Sequence, residues 1–316
     1  MIGINLKDKS IVTDHYNLMR DYLVHRNTMY SYEEINNWVK KITNNEYCFR
    51  EIIIAESTEL EKIIESVSNV GLLNLADRSS EDNKKGKYLI YVYSSFASLR
   101  GSYFDSADYS ALYMIKKLDL VVCPYCNRNF ITNTRILKKD GDDKVRRTAQ
   151  FDHFHSKSEH PYLALSFYNL IPICSSCNFI KHNNQIKINP YAIVNSDDHI
   201  VFDCEFDRNF SRYKVGTSHM SNDFRKSWLV LGLEELYRAH EPYVDDLAAR
   251  IILYKSMYKD DLPKYFEKWS RKTNISLASI SKEDLKRVII GNHYLEEDLN
   301  KHPLSKLTKD IVNKYG

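Results

Sequence analysis

Apolar positions in the first third of the chain recur at helical spacing. Ser31-Tyr-Glu-Glu34 is a capping-box pattern, followed by Ile35, Trp38, Val39 and Ile42 on one helical face. Thr58-Glu-Leu-Glu61 repeats that pattern ahead of Ile63, Ile64 and Val67, which predicts a second helix starting there. Ser79 to Lys87 is polar and charged and reads as an exposed loop. Tyr88-Leu-Ile-Tyr-Val-Tyr93 fits a strand or a buried helical turn, and Tyr109 to Leu118 fits a short helix.

From residue 119 the pattern changes. Arg128 to Leu137 and Lys144 to Phe154 read as strands, and the Asp140-Gly141 step between them is a strong hairpin signal. A helix is expected to open near Cys174, and a strand pair near residues 191–214. The remainder reads as helical. Asn222 or Asp223 caps a helix through Ala239, and Pro242 stands in the first turn of the next, whose apolar stripe is Val244, Leu247, Ala248, Ile251 and Ile252. Ser281 starts another with Leu285, Val288 and Ile289, stopped by Gly291, and the tail His302-Pro-Leu-Ser-Lys-Leu-Thr-Lys-Asp-Ile311 forms a last docked helix. The expected class is α+β, mostly helical, with helical regions at 1–115 and 191–316 flanking a distinct segment at 116–190.

Composition narrows the class. Of 316 residues only 9 are Gly and 7 are Pro, which excludes collagen-like and linker-rich chains. With 43% hydrophobic and 28% charged residues the chain is expected to fold. No apolar run approaches the roughly 18 residues of a membrane span, and Met1 to Ser10 lacks a basic-then-apolar leader, so a cytoplasmic protein without a membrane is expected. The net charge of +3 is unevenly spread: residues 116–190 carry 12 Lys/Arg against 6 Asp/Glu, whereas 1–115 carry 13 against 16. A local basic field is what a polyphosphate ligand needs.

Four of the six cysteines form two C-x-x-C pairs, Cys123-Pro-Tyr-Cys126 and Cys174-Ser-Ser-Cys177. Four thiolates are the ligand set of a closed structural zinc site, and the 47 residues between the pairs leave room for a small domain stapled at both ends. Cys48 and Cys204 read as ordinary buried thiols. Between the pairs lie Asp152-His153 and, sixteen residues after His153, Asn169; Asn178 follows Cys177 directly.

A His, an Asn and a final Asn interleaved with zinc cysteines resembles the HNH endonuclease motif. The resemblance implies a ββα-metal fold, two strands and a helix around one divalent ion. Cleaving a phosphodiester requires a cation to neutralise the scissile phosphate and leaving oxygen. Asp152 and the amide carbonyl of Asn178 are hard oxygen donors suited to magnesium or manganese. The two neighbours Asp152 and His153 are expected on opposite strand faces unless the strand bends. The resemblance further implies His153 as general base, with an imidazole near its ordinary pKa, and Asn169 as the side chain that hydrogen-bonds the loop bearing it. His155, Lys157, His160, Lys181 and His182 are candidate phosphate contacts, and Lys157 or Lys181 a candidate for stabilising transition-state charge.

The stretch from His160 to Asn178, with Asn189-Pro-Tyr191 and the tail downstream, is similar to the nuclease subunit of Septu-type anti-phage systems, the PtuB family. That family often has an aromatic residue and a proline where this chain has His155 and Ser156. The likeness implies an effector gated by an ABC/SMC-type ATPase partner (PtuA-like); no G-x-x-x-x-G-K-[ST] occurs in this chain. DNA is the expected substrate. RNA cleavage and a catalytically inactive nucleic-acid-binding module are the competing readings.

Overall fold

The helices of the first third form where an apolar face can be buried and the free N–H groups of the first turn find an acceptor. A computed structural model of the chain describes residues 1–25, 29–98, 103–104, 109–136, 144–209, 211–255, 261, 264–265, 268 and 281–316. They divide into two compact units: one of Gly3–Cys123 and Ile131–Val194, the other of Met1–Ile2, Pro124–Phe130 and Asn195–Gly316. The class is α+β and mostly helical, with three two-stranded antiparallel sheets among the described residues. No helix among them is long and apolar enough to cross a membrane.

The first unit opens with α1 (Ser10–His25), α2 (Tyr32–Ile42), α3 (Phe49–Ile54), α4 (Ser57–Val70), α5 (Glu81–Ser98) and α6 (Ala111–Lys117). The capping box at Ser31 forms as expected: Glu34 N–H donates to Ser31 Oγ, and Ser31 N–H donates to Glu34 Oε2. Ile35, Trp38, Val39 and Ile42 are all buried. Two expectations fail here. Helix α4 begins at Ser57 after Glu56, with no side-chain cap, so Thr58 lies inside the first turn. Residues 81–87 are helical rather than a loop, because their charged side chains form the solvent face of α5 while Asp82 and Gly86 face inward. The ambiguous Tyr88–Tyr93 stretch is the middle of that helix. Buried Asp82 accepts from the Trp38 indole N–H at 2.9 Å, which ties α5 to α2.

The strands of this unit are shorter than the pattern suggested. Strands β1 (Asn133–Ile136) and β2 (Lys144–Arg147) pair antiparallel; the Asp140-Gly141 step lies outside the described residues. The run 144–154 is not one strand. It divides at Thr148-Ala149, where Thr148 N–H donates to Thr132 O and Thr132 N–H to Thr148 Oγ1. Strand β3 (Gln150–His153) then pairs with β4 (Leu170–Ile173), Asp152 opposite Ile171 and His153 opposite Leu170. Cys174 caps α7 (Ser175–Lys181), which completes a strand–strand–helix unit.

In the second unit β5 (Ile200–Asp207) and β6 (Arg212–Met220) form the expected pair. Ser221, not Asn222 or Asp223, caps the next helix. The chain then breaks at Gly232 (φ 58°), giving α8 (Asn222–Val230) and α9 (Leu233–Arg238) in place of one helix to Ala239. Helices α10 (Glu241–Leu253), α11 (Lys282–Ile290) and α12 (Ser305–Tyr315) follow. Ile252 and Val288 are exposed and fall outside the apolar stripes assigned to them. On α12 the fully buried Lys306 ammonium sits 2.6 Å from Asp310 and 2.7 Å from Asp197, and Asp310 accepts from Phe202 N–H on β5. The carboxyl of Asp310 is pushed up to about 6 by burial, opposed by Lys306.

Gly86 faces the loop after β3 at very short range: a Cβ there would stand 2.8 Å from Pro161 Cγ. Alanine normally strengthens a helix interior by about 1 kcal/mol over glycine. Gly86→Ala is nonetheless expected to destabilise the protein by about 1–2 kcal/mol, because the rigid proline ring has to move. Equilibrium urea unfolding checks the sign; a gain in stability would show that Pro161 yields freely.

Candidate active site and metal centre

Pleating decides what each residue of β3 meets. Alternate side chains point to opposite faces, and here Gln150 and Asp152 meet α7 while Phe151 and His153 meet α5. Gln150 Oε1 accepts from Asn178 Nδ2 at 2.6 Å, and Asp152 Oδ1 accepts from Lys181 Nζ at 2.9 Å. Phe151 stacks with Phe96, and the His153 ring stands edge-on to Tyr93 with centroids 4.3 Å apart. The two neighbours thus diverge without any register shift in the strand pair. Both still line one cleft of about 530 Å³ off the strand end, with Asn178, His155, Lys157, His160, Lys181 and His182.

His153 is buried, and its Nε2 lies 3.0 Å from Ala164 O. A carbonyl only accepts, so Nε2 carries the proton and Nδ1 keeps the lone pair. Burial, reinforced by the charge of Lys157, pushes the imidazole down to about 3. The expectation of a ring near its ordinary pKa is therefore corrected: His153 is neutral across the physiological range because charging it means desolvating a cation. Lys157 places its ammonium 4.6 Å from the Tyr93 ring centre, and its own pKa is lowered by burial.

Asn169 is fully buried and does not line the cleft. Its Oδ1 accepts from His155 N–H at 2.7 Å, and its Nδ2 donates to His155 O at 3.1 Å and Leu163 O at 3.0 Å. The amide thus holds the loop after His153 from beneath. His155 itself is buried, is pushed down to about 4 by burial, and has no hydrogen-bond partner at Nε2.

The oxygen donors expected to hold a hard cation are both present at the cleft. Asn178 commits its amide nitrogen to Gln150, which leaves its oxygen as the ligand atom. Asp152 is shared with a lysine, a partner the sequence did not indicate. Lys181, a candidate for contacting phosphate or stabilising transition-state charge, is not an ordinary exposed lysine: its side chain is 5% exposed, against 6% for Asp152. Gln150 and Tyr93 were also missed. The two-residue spacing of Gln150 from Asp152 was the available signal, whereas Tyr93 lies too far away in sequence for any local pattern to link it to His153.

The second centre is built from the four cysteines. Cys123, Cys126, Cys174 and Cys177 are buried, with their sulfurs all within 4.8 Å of one another. Backbone N–H groups aim at two of them: Arg128 N at Cys126 Sγ, 3.4 Å, and Cys177 N at Cys174 Sγ, 3.5 Å. Such donors stabilise thiolate charge, and the all-sulfur donor set fits a tetrahedral zinc. Asn127 (φ 50°) anchors the first knuckle by donating to Leu299 O and accepting from Lys306 N–H. Of the other two cysteines Cys204 is buried, but Cys48 is half-buried at the start of α3.

Removing the Asn169 amide strands the buried N–H and C=O of His155, whereas Leu163 O keeps the bond from Ser166 N–H. Asn169→Ala should cost at least about 2 kcal/mol, since each of the two buried groups left unpaired costs about 1–3 kcal/mol; an unchanged denaturation midpoint would show that other groups replace both bonds. For the cysteine centre, metal analysis of the purified protein should find one zinc per chain, and Cys174→Ser should lose it together with thermal stability. Native protein free of zinc would leave the cluster as four reduced thiols.

No curated protein and no solved structure matches the chain. Residues 123–184 do match the family model of the HNH endonuclease, a span that opens on Cys123 and closes just after α7. The chain therefore carries an HNH endonuclease domain, which points to a nuclease acting on nucleic acid.

Proposed function

We propose that the protein is a divalent-metal-dependent endonuclease that hydrolyses DNA, with His153 as general base, Asp152 and Asn178 as ligands of magnesium or manganese, and Asn169 as a positioning residue. The observation that carries this reading is the convergence of Asp152, His153 and Asn178 on one cleft lined by basic side chains. Bound there, a divalent ion would neutralise charge on the scissile phosphate and the leaving oxygen. His153 contributes a neutral ring whose Nε2–H is tied to Ala164 O, so Nδ1 is the atom that accepts a proton from the attacking water. Lys157 supplies positive charge at the cleft, and such a field draws a phosphate backbone in.

Service as the effector of an anti-phage complex, held by an ABC/SMC-type ATPase, is the setting we favour. It rests on the resemblance of residues 160–191 and of the tail to Septu-type nucleases. Zinc at the four cysteines would serve structure alone, since four thiolates leave no open position for a substrate.

Plasmid, linear duplex and total RNA, each incubated with Mg²⁺, Mn²⁺ or EDTA, test the proposal. DNA cleavage that needs the metal should fall by at least about 100-fold in His153→Ala, the usual scale of a lost general base, with DNA binding retained. RNA cut in preference to DNA would replace the substrate. Binding that survives in His153→Ala, with no cleavage by either protein under any condition, would favour an inactive module. The pH profile carries a sign as well. The His153 pKa is lowered to about 3, so its base form persists on acidification, and no acid limb near 6.5 should come from this ring.

A further inference from the structure

The carboxylate assigned to the divalent ion already has a cation. Lys181 Nζ lies 2.9 Å from Asp152 Oδ1 and 3.3 Å from His153 O. Both side chains are almost fully buried, so the pairing compensates each charge in a low-dielectric setting. Lys181 stands one turn after Asn178 on α7, and both side chains reach β3, Asn178 at Gln150 and Lys181 at Asp152. Helix α7 ends at Lys181, with His182 in the left-handed region at φ 46°.

We propose that Lys181 is the resident counter-cation of Asp152 and that it couples loading of the divalent ion to the arrival of a nucleic-acid phosphate. This rests on the nuclease reading above. An ammonium and a divalent ion compete for the same buried carboxylate and repel each other at contact distance. The ammonium must therefore move when the ion binds. The cleft offers it little else: of the residues lining it, only Asp152 and Glu159 are acidic, and the Glu159 carboxylate is largely exposed and lies 4.0 Å from His160. The other charged or titratable side chains there, Lys157, His153, His155, His160 and His182, carry no negative charge to pair with a displaced cation. A phosphate entering the cleft can. The lysine then passes from carboxylate to phosphate, and ion and nucleic acid each strengthen the other's binding, as linkage requires.

Mn²⁺ binding to the full chain, measured by calorimetry in the His153→Ala background so that no DNA is cut, tests this directly. After subtraction of ion held by the duplex alone, DNA should tighten Mn²⁺ binding by between about fivefold and 150-fold. Adding Lys181→Met should tighten Mn²⁺ binding to the free protein by about tenfold and shrink the DNA effect to what the ion gains directly from the phosphate. Lys181→Arg, which keeps the charge and guards against a folding defect, should retain the DNA effect. Identical Mn²⁺ affinities for the Lys, Met and Arg forms, with binding still lost in Asp152→Asn, would overturn the coupling and leave the metal site standing. Mn²⁺ binding indifferent to Asp152→Asn, or absent with and without DNA, would overturn the metal-site reading and this inference with it.

Discussion

One buried amide holds the shape of the cleft. The Asn169 side chain bonds both backbone groups of His155 and the carbonyl of Leu163, while its own carbonyl accepts from Phe154 N–H at the end of the strand pair. Buried backbone groups must be paired somewhere, and in a loop of fifteen residues, 154–168, there is no ladder to pair them. A single side chain with two donors and an acceptor substitutes for that ladder. The consequence reaches His153 indirectly. Leu163 O is pinned by Asn169, Ala164 follows it in the same tight turn, and Ala164 O takes the Nε2 proton of His153. The tautomer of the proposed base therefore depends on a residue that never meets the cleft.

Strand β3 then sorts chemistry by pleat. Its Asp152 face lies against the polar face of α7, where a lysine and two amides form an ionic and hydrogen-bonded layer. Its His153 face lies against aromatic rings of α5, which keep the imidazole uncharged. Two adjacent residues thus work in opposite electrical settings, one favouring charge and one forbidding it. A carboxylate paired with an ammonium and a base that stays neutral suit the two tasks proposed for them.

The capping box at Ser31, the zinc-type cysteine spacing and the helix opened by Cys174 could be read directly, because each depends on residues a few positions apart. What escaped depended on tertiary partners. The charged run 81–87 looked like a loop because its inward residues, Asp82 and Gly86, are not apolar: one is buried on an indole N–H, the other under Pro161. The continuous helix expected to Ala239 overlooked Gly232, whose positive φ ends one helix and starts another. The motif residues Asp152, His153, Asn169 and Asn178 stood out by type and spacing. Lys181 looked like one more surface lysine because nothing local says that its ammonium will be buried on Asp152. Tyr93 could not be linked to His153 by any pattern, since their contact is made only by packing.

Charges in this protein fall into two populations that ionic strength would treat differently. The Lys306–Asp310 pair beneath β5 is closed off, with both side chains buried, and mobile ions gain little access to such a pair. Lys157 faces the space a polyanion would occupy, and its attraction acts through solvent. Raising salt from low to physiological levels shortens the Debye length to about 8 Å and erodes that attraction while leaving the buried pair untouched. A protein built this way releases its nucleic acid long before it unfolds, so salt is a reversible handle on binding.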